Sequence, residues 1–242
     1  MSKSTVKPYS EEGSKKEQVE QMFDNISGQY DLLNHILSMG IDKGWRKKAV
    51  REVMAVKPNR VLDVATGTGD QAIALCRAGV DRVTGLDLSR GMLDVGIEKI
   101  RRFQWSDRIE MMQGDSENLP FENDTFDAIT VSFGVRNFEN LAKGLQEMAR
   151  VLKPGGKMVI LEFSKPRGWL IAPIFRLYSN HILPRVGSWI SKDKSAYTYL
   201  PESVEAFPSD ELFLQHLRAT GLESCTQHRL TFGIASIYTG IK

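Results

Sequence analysis

Cysteine is nearly absent: Cys76 and Cys225 are the only two in 242 residues. Thiols so far apart match neither a zinc-ligand spacing nor a disulfide framework. The sequence therefore points to no metal and to buried thiols in a reducing compartment. One-sided charge is lacking as well. Thirty-two Lys and Arg stand against thirty Asp and Glu, a formal charge of +2, which argues against a nucleic-acid binder with its strong basic patch. No run of about 18 apolar residues occurs, so nothing reads as a membrane span. The opening Met1-Ser2-Lys3-Ser4-Thr5 has no apolar leader core, which adds to a cytoplasmic expectation. Internal repeats and low-complexity tracts are missing too. The hydrophobic content of 41% over 242 residues suffices for one domain with a substantial core.

The most informative stretch is Val61-Leu62-Asp63-Val64-Ala65-Thr66-Gly67-Thr68-Gly69-Asp70. A β-branched run enters, a glycine turn follows, and Gln71-Ala72-Ile73-Ala74-Leu75-Cys76 leaves as a helix. Gly67 and Gly69 permit backbone angles closed to other residues and let a ligand approach the main chain. The unpaired N–H groups that begin the helix face that ligand. A nucleotide-like cofactor fits, with a bare strand–helix turn as the alternative. The loop does not name the cofactor, because Gly67-x-Gly69-x-x-Ala72 also satisfies the dinucleotide fingerprint.

From there strands and helices alternate. Strands read over 60–65, 82–87, 109–113, 126–133 and 157–163, with Ser89 as N-cap of a helix to about Arg101 and a second helix over 140–152 stopped by Lys153-Pro154-Gly155-Gly156. A helix over 210–220 ends at Gly221, and two last strands, 223–230 and 234–238, are joined by a turn short enough to imply a hairpin and an antiparallel strand at the sheet edge. The expected fold is a doubly wound, mostly parallel, seven-stranded α/β sheet with an antiparallel C-terminal hairpin. Residues 1–14 read as a flexible terminus and 15–242 as one domain. Within it, 15–57 form a helical cap with apolar Val19, Met22, Phe23 and Ile26 at helical spacing. The cap carries Tyr30, Asp31, Asn34 and His35, and either packs on the sheet edge or walls a substrate pocket. The stretch 168–190 is rich in Trp, Leu and Ile with Arg176, His181 and Arg185 interspersed. It reads as packed helices or as a lid insertion, 168–200, that shelters an apolar substrate or lies on a membrane. Residues 195–203 read as a loop.

Asp87 ends the second strand about twenty residues after Gly67, where a carboxylate can accept both ribose hydroxyls. Asp115 follows the third strand and either serves an adenine amine or caps a turn. An NAD-dependent oxidoreductase and an S-adenosylmethionine methyltransferase both fit these residues. The second also explains the final hairpin, which a second mononucleotide-binding half would not produce.

Longer motifs narrow the choice. Asp63-x-x-x-Gly67-x-Gly69, Asp87, Gly114-Asp115 and Arg150-Val151-Leu152-Lys153-Pro154-Gly155-Gly156 resemble a class I methyltransferase. Met22-Phe23-Asp24-x-Ile26-Ser27-x-x-Tyr30-Asp31-Leu32-Leu33-Asn34, Ser132-Phe133-Gly134-Val135-Arg136-Asn137, Leu161-Glu162-Phe163-Ser164-Lys165-Pro166 and Tyr197-x-Tyr199-Leu200-x-Glu202-Ser203 add a closer resemblance, to the ubiquinone/menaquinone biosynthesis C-methyltransferases. The resemblance implies S-adenosyl-L-methionine as cofactor and a ring carbon of a reduced polyprenyl quinone as acceptor. Demethylmenaquinol is the leading substrate, with a dual-substrate or ubiquinone-pathway benzoquinol enzyme as the alternative. Cofactor contacts are expected at Asp63, Thr66, Gly67, Thr68, Gly69, Asp87, Leu88, Asp115, Ser116 and Ser132. Substrate contacts are expected at Asn34, His35, Phe133, Tyr178 and His181. Arg136 is the leading catalytic candidate, as a fixed cation at a developing quinol oxyanion, against a salt bridge to Asp31 or Glu162. Asn137, Tyr30 and Asp31 stand behind it as ring-binding or proton-shuttling groups. A cytoplasmic enzyme peripherally bound to the inner face of the membrane follows, with homodimerisation left open.

Overall fold

The computed structural model describes residues 6–38, 40–166, 173, 177, 193 and 195–242. Most of the expected lid, including Tyr178 and His181, lies outside the described residues, so those readings are neither met nor opposed.

Seven strands form one sheet in the order β3-β2-β1-β4-β5-β7-β6. The strands are β1 (Arg60–Val64), β2 (Arg82–Asp87), β3 (Ile109–Gln113), β4 (Phe126–Ser132), β5 (Leu152–Phe163), β6 (Glu223–Leu230) and β7 (Ala235–Ile241). The first five pair in parallel, and β7 runs antiparallel between β5 and β6. The hairpin is as expected, but its antiparallel member β7 is an inner strand and β6 takes the edge. The reason is composition: β7 is buried along nearly its whole length, whereas β6 alternates and exposes every other residue.

The central strands are near-continuously apolar because helices cover both faces. On one face Leu62, Val64, Ile129 and Val131 pack against Leu145 and Met148 of α6 (Leu141–Val151) and Phe213 and Leu217 of the C-terminal helix. On the other, Val61, Ala128 and Val159 meet Trp45, Ala49 and Val53 of α3 (Ile41–Met54) and Ala72, Ile73 and Leu75 of α4 (Asp70–Arg77). The segment expected as a cap is therefore divided. α3 belongs to the helical layer beneath the sheet, while α1 (Lys15–Ile26) and α2 (Tyr30–Leu37) sit over the carboxyl ends of the strands. There α1 joins α5 (Arg90–Arg102) and α7 (Ser195–Ala206) in a third apolar cluster of Val19, Met22, Ile26, Met92, Ala196 and Tyr199.

Two expectations are corrected. Residues 195–206 form a helix and not a loop, despite the internal Pro201. Asp193 accepts the Ser195 N–H at its start, and burial of Ala196 and Tyr199 holds the helix in place. Pro201 costs a helix hydrogen bond, and this packing offsets it. The turn 153–156 does not separate α6 from β5. Strand β5 begins at Leu152, paired with Phe126, and the irregularity between Phe126 and Ala128 absorbs the turn. Beside α1, Gln18 Oε1 accepts the N–H groups of Tyr9 and Ser10 at 2.9 and 3.0 Å. The C-terminal helix α8 (Glu211–Ala219) ends before Gly221, whose φ of +87° stops it as expected.

Candidate active site

The order of the sheet reverses at β1 and β4, and the carboxyl ends of β1, β2, β3 and β4 meet at one rim. Open α/β sheets bind ligands at such a switch point. After β1 the chain turns through Ala65 (φ +51°), Gly67 (φ +56°) and Gly69 (φ +78°), and Gly69 starts α4. At the end of β4, Phe133 also has positive φ, +62°. Strained backbone at the ends of adjacent strands is a mark of functional loops.

Asp87 fastens the rim together. Its Oδ2 accepts the Gly67 N–H at 2.7 Å and its Oδ1 accepts the Ser89 N–H at 2.9 Å. Burial pushes its pKa up to about 6, against the backbone N–H groups that favour the anion. Each carboxylate oxygen retains a lone pair for an incoming hydroxyl. Ser89 caps α5 by accepting the Met92 N–H, as expected.

An open cleft lies between this rim and α1. Of the expected cofactor contacts, Gly67, Asp87, Leu88, Asp115, Ser116 and Ser132 line it. Tyr30, Phe133 and Asn137 line it from the substrate and catalytic sets. Asp115 caps the turn, one of the two readings considered for it: its Oδ1 accepts the Glu117 N–H at 2.8 Å, while its Oδ2 meets Lys16 Nζ of α1 at 3.1 Å in the cleft. Asn137 accepts the Tyr199 hydroxyl at 3.2 Å, which joins α7 to the site.

Other expected residues stand elsewhere. Asp63, Thr66 and Thr68 border a smaller recess beneath the loop. The Thr68 hydroxyl donates to Asp31 Oδ1 at 2.5 Å and accepts from Lys99 Nζ at 3.0 Å. Lys99 also pairs with Asp31 and, at 2.8 Å, with Asp70. Asp31 is thus bound to the base of α5 and does not line the cleft. Gly69 packs toward Ile100 and Met111 and shapes the loop without lining the cleft. Asn34 hydrogen-bonds Tyr30, and the side chain of His35 lies outside the described residues. Burial raises the Tyr30 phenol above its ordinary pKa.

Arg136 forms the salt bridge that was its alternative reading. Its Nη1 lies 2.9 Å from Glu162 Oε1, and Glu162 is fully buried. The same nitrogen donates to the Phe133 carbonyl, and the guanidinium lies over the Phe163 ring at 5.4 Å. Arg136 Nε is buried without a partner. Phe163, Phe133 and Trp45 make one aromatic block, with centroids 4.6 to 6.2 Å apart.

Several contributors escape a reading by motif. Lys16, Glu20 and Phe23 on α1 line the cleft, and nothing in their spacing distinguishes them from an ordinary solvated face. Lys99 is one cation among several at the end of α5. Arg46 was findable: it falls with Asp42, Trp45, Ala49 and Val53 on the buried stripe of α3, where a charge is conspicuous.

The family model described as the ubiE/COQ5 methyltransferase family matches residues 11–242. A relative from Bacteroides fragilis, the demethylmenaquinone methyltransferase, is 48% identical over 238 residues, covering 98% of this chain and 97% of its own. A ubiquinone/menaquinone biosynthesis C-methyltransferase UbiE from Geotalea daltonii is 44% identical, covering 94% of this chain and 97% of its own. Among solved structures, phosphoethanolamine N-methyltransferase 2 of Haemonchus contortus in complex with S-adenosyl-L-methionine superposes with a TM-score of 0.60 at 17% identity, over 81% of this chain and 52% of that one. That likeness is one of fold.

Burial also raises the Asp63 carboxyl to about 7. In the unfolded chain such groups ionise near pH ~4. Between about pH 4 and 7 the folded protein therefore holds more protons than the unfolded one, and its stability falls as pH rises. Asp63→Asn removes one of these groups. Its stability relative to the parent rises across that window, by on the order of 2–4 kcal/mol. Urea denaturation of both proteins at several pH values checks this; a gap independent of pH contradicts it.

Proposed function

The chain belongs to the ubiE/COQ5 methyltransferase family, and from that premise we propose that it methylates a ring carbon of a reduced polyprenyl quinone, demethylmenaquinol foremost. The observation that carries this reading is the rim itself: Asp87 and Asp115 at the ends of adjacent strands, opening on a cleft with Phe133 and Tyr30 across from them. Two carboxylates there fit an adenosine. Asp87 can take ribose hydroxyls on its remaining lone pairs, and Asp115 the exocyclic amine. A dinucleotide oxidoreductase fits less well, because the antiparallel β7–β6 pair occupies the place of a second mononucleotide-binding half.

The cofactor, S-adenosyl-L-methionine, supplies an electrophilic methyl group on a sulfonium cation. The chain must make the quinol ring carbon nucleophilic and accept the proton that this carbon loses. A phenol titrates near ~10, so ionising a ring hydroxyl at neutral pH costs about 4 kcal/mol. A fixed donor at the developing oxyanion supplies roughly 3–4 kcal/mol. Arg136 is the candidate. Glu162 and the Phe133 carbonyl hold its guanidinium, so little reorganisation is needed when charge develops; Nε is buried without a partner, and Arg136 adjoins the cleft residues Gly134 and Asn137 without lining the cleft itself. Phe133 offers an aromatic face to the ring. Asn137 and Tyr30 line the same cleft as binding or proton-carrying groups.

A polyprenyl tail keeps the substrate in lipid. Among the described residues no helix is long and apolar enough to cross a membrane. The enzyme accordingly meets its substrate from the surface, as a peripheral protein on the cytoplasmic face.

Purified protein given methyl-labelled cofactor and chemically reduced quinols is expected to label a demethylated naphthoquinol. Label also in a benzoquinol of equal tail length makes it a dual-substrate enzyme, and label in neither overturns the proposal. Arg136→Ala alone leaves Glu162 buried and unpaired, at about 3–5 kcal/mol. The double variant Arg136→Gln/Glu162→Gln removes both charges together. It is expected to lower kcat about 100- to 1000-fold with cofactor affinity within about threefold of the parent; near-normal turnover refutes the role of Arg136. Flotation with quinone-loaded anionic liposomes is expected to carry the protein upward, and its retention at the bottom of the gradient counts against membrane association.

A further inference from the structure

The turn Val135–Asn137, just after β4, carries Arg136 and Asn137 to the site. Two buried charges from different elements anchor its backbone. Glu162 Oε2 of β5 accepts the Arg136 N–H at 3.3 Å. Lys15 Nζ, from the first residue of α1, donates to the Arg136 carbonyl at 2.8 Å and to the Phe138 carbonyl at 3.0 Å. The peptide groups on both sides of the Arg136 Cα are thus held. Because each is planar, fixing both fixes the direction in which the Arg136 side chain departs. Asn137 is fastened separately, where its Oδ1 accepts the Tyr199 hydroxyl.

Lys15 is an unfavourable residue for a plain fastening. Lysine is almost never fully buried, yet Lys15 is only 7% exposed. It stands at the start of a helix, where the dipole opposes a cation, and near a second cation, Arg136. Burial, followed by the charge of Arg136, pushes its pKa down to about 8, against Glu117, Glu139 and Glu162, which favour the ammonium. Seating α1 requires none of this. The Lys15 N–H already donates to Glu139 Oε1 at 2.8 Å, and Val19, Met22 and Ile26 bury the apolar face of the helix. What the ammonium adds is a pair of charge-assisted hydrogen bonds to the turn itself.

We propose that Lys15 is a positioning residue for methyl transfer: its ammonium fixes the turn that presents Arg136 and Asn137, and so couples the seating of α1 over the cleft to the alignment of the reacting ring. This rests on the quinol-methylating reading and adds to it a residue outside the lining of the cleft. Its neighbour Lys16 does line the cleft and pairs with Asp115, so the first turn of α1 sends one cation to the cleft and one to the turn. Removing the Lys15 ammonium spoils alignment, which is read in kcat, and spares ground-state binding, which is read in KM and in cofactor affinity.

Methyl transfer to the quinol that the parent labels, and isothermal titration with S-adenosylhomocysteine, test this on the full chain. Lys15→Met is expected to lower kcat about 10- to 100-fold, the range for a displaced reacting group, with quinol KM and S-adenosylhomocysteine affinity within about threefold of the parent. Lys15→Arg, which keeps the charge and its donors, should recover most of the rate. Ser14→Ala is the control for a merely structural role. It removes the cap that accepts the Glu17 N–H at 3.1 Å, and so loosens the same end of α1 without removing a bond to the turn. Its kcat should stay within about twofold. Lys15→Gln keeps a donor for one carbonyl and gives the same comparison if Lys15→Met does not fold. Parent-like turnover without the ammonium, equal losses of kcat and cofactor affinity, or a loss in Ser14→Ala as large as that in the Lys15 variant overturns the proposal. A parent that labels no quinol overturns the methylation reading and this proposal with it, an outcome seen before any variant is compared.

Discussion

Strands β1 and β4 lie side by side and parallel at the middle of the sheet, with Asp63 opposite Thr130 and Val64 opposite Val131. The chain must then leave them on opposite faces, toward α4 from β1 and toward α6 from β4. Two neighbouring strands whose connections part in this way open a crevice between their ends. Among the described residues, the carboxylates Asp87 and Asp115 line that crevice together with Tyr30 and Phe133. The glycine loop and the turn at Phe133 are its two lips, and positive φ at Ala65 and Phe133 is the local cost of turning so sharply there. Asp87 then ties the loop after β1 to the turn after β2 through two backbone N–H groups.

Charge is concentrated at this rim in a chain whose core is otherwise apolar. Three buried or half-buried cations each face a carboxylate there: Arg136 with Glu162, Lys99 with Asp31 and Asp70, and Arg46 near Asp63 and Asp42. Buried ion pairs are weak devices for stability, because desolvation offsets their attraction. Holding a donor in a fixed direction is what they do well. Arg136 and Arg46 flank the same aromatic block from two sides, over Phe163 and Phe133 respectively. A quinol oxygen beside Phe133 would thus meet a donor that needs no rearrangement.

Much of the fold was legible because its signals are local. Strand β4 is a near-continuous apolar run, Ser89 precedes a helical pattern, and Gly221 ends one, each readable within a few residues. Helix α7 was not legible, because Pro201 argues for a break and the contacts that override it come from α1 and from Asn137, remote in sequence. The division of the N-terminal segment was hidden for a related reason. α1 and α3 are both amphipathic, and only the sheet decides that α3 packs under it while α1 covers its rim. In the site, Asp87 and Asp115 were found by their place after strands. Asp31 was named with the right segment but meets Lys99, 68 residues away, and no spacing rule reaches that far.

The amino-acid order alone determined the alternation of elements, the glycine loop, the carboxylates that follow β2 and β3, and the family resemblance. Each depends on backbone preference and period within a short window, where sequence and conformation are directly coupled. The tertiary structure alone decided that β7 enters between β5 and β6, that Arg136 is paired with Glu162, and that Arg46, Asp63 and Gln71 converge beneath the loop. Those outcomes depend on which surfaces of distant segments exclude water from one another. A charge acquires its partner only after the apolar faces around it have been brought together.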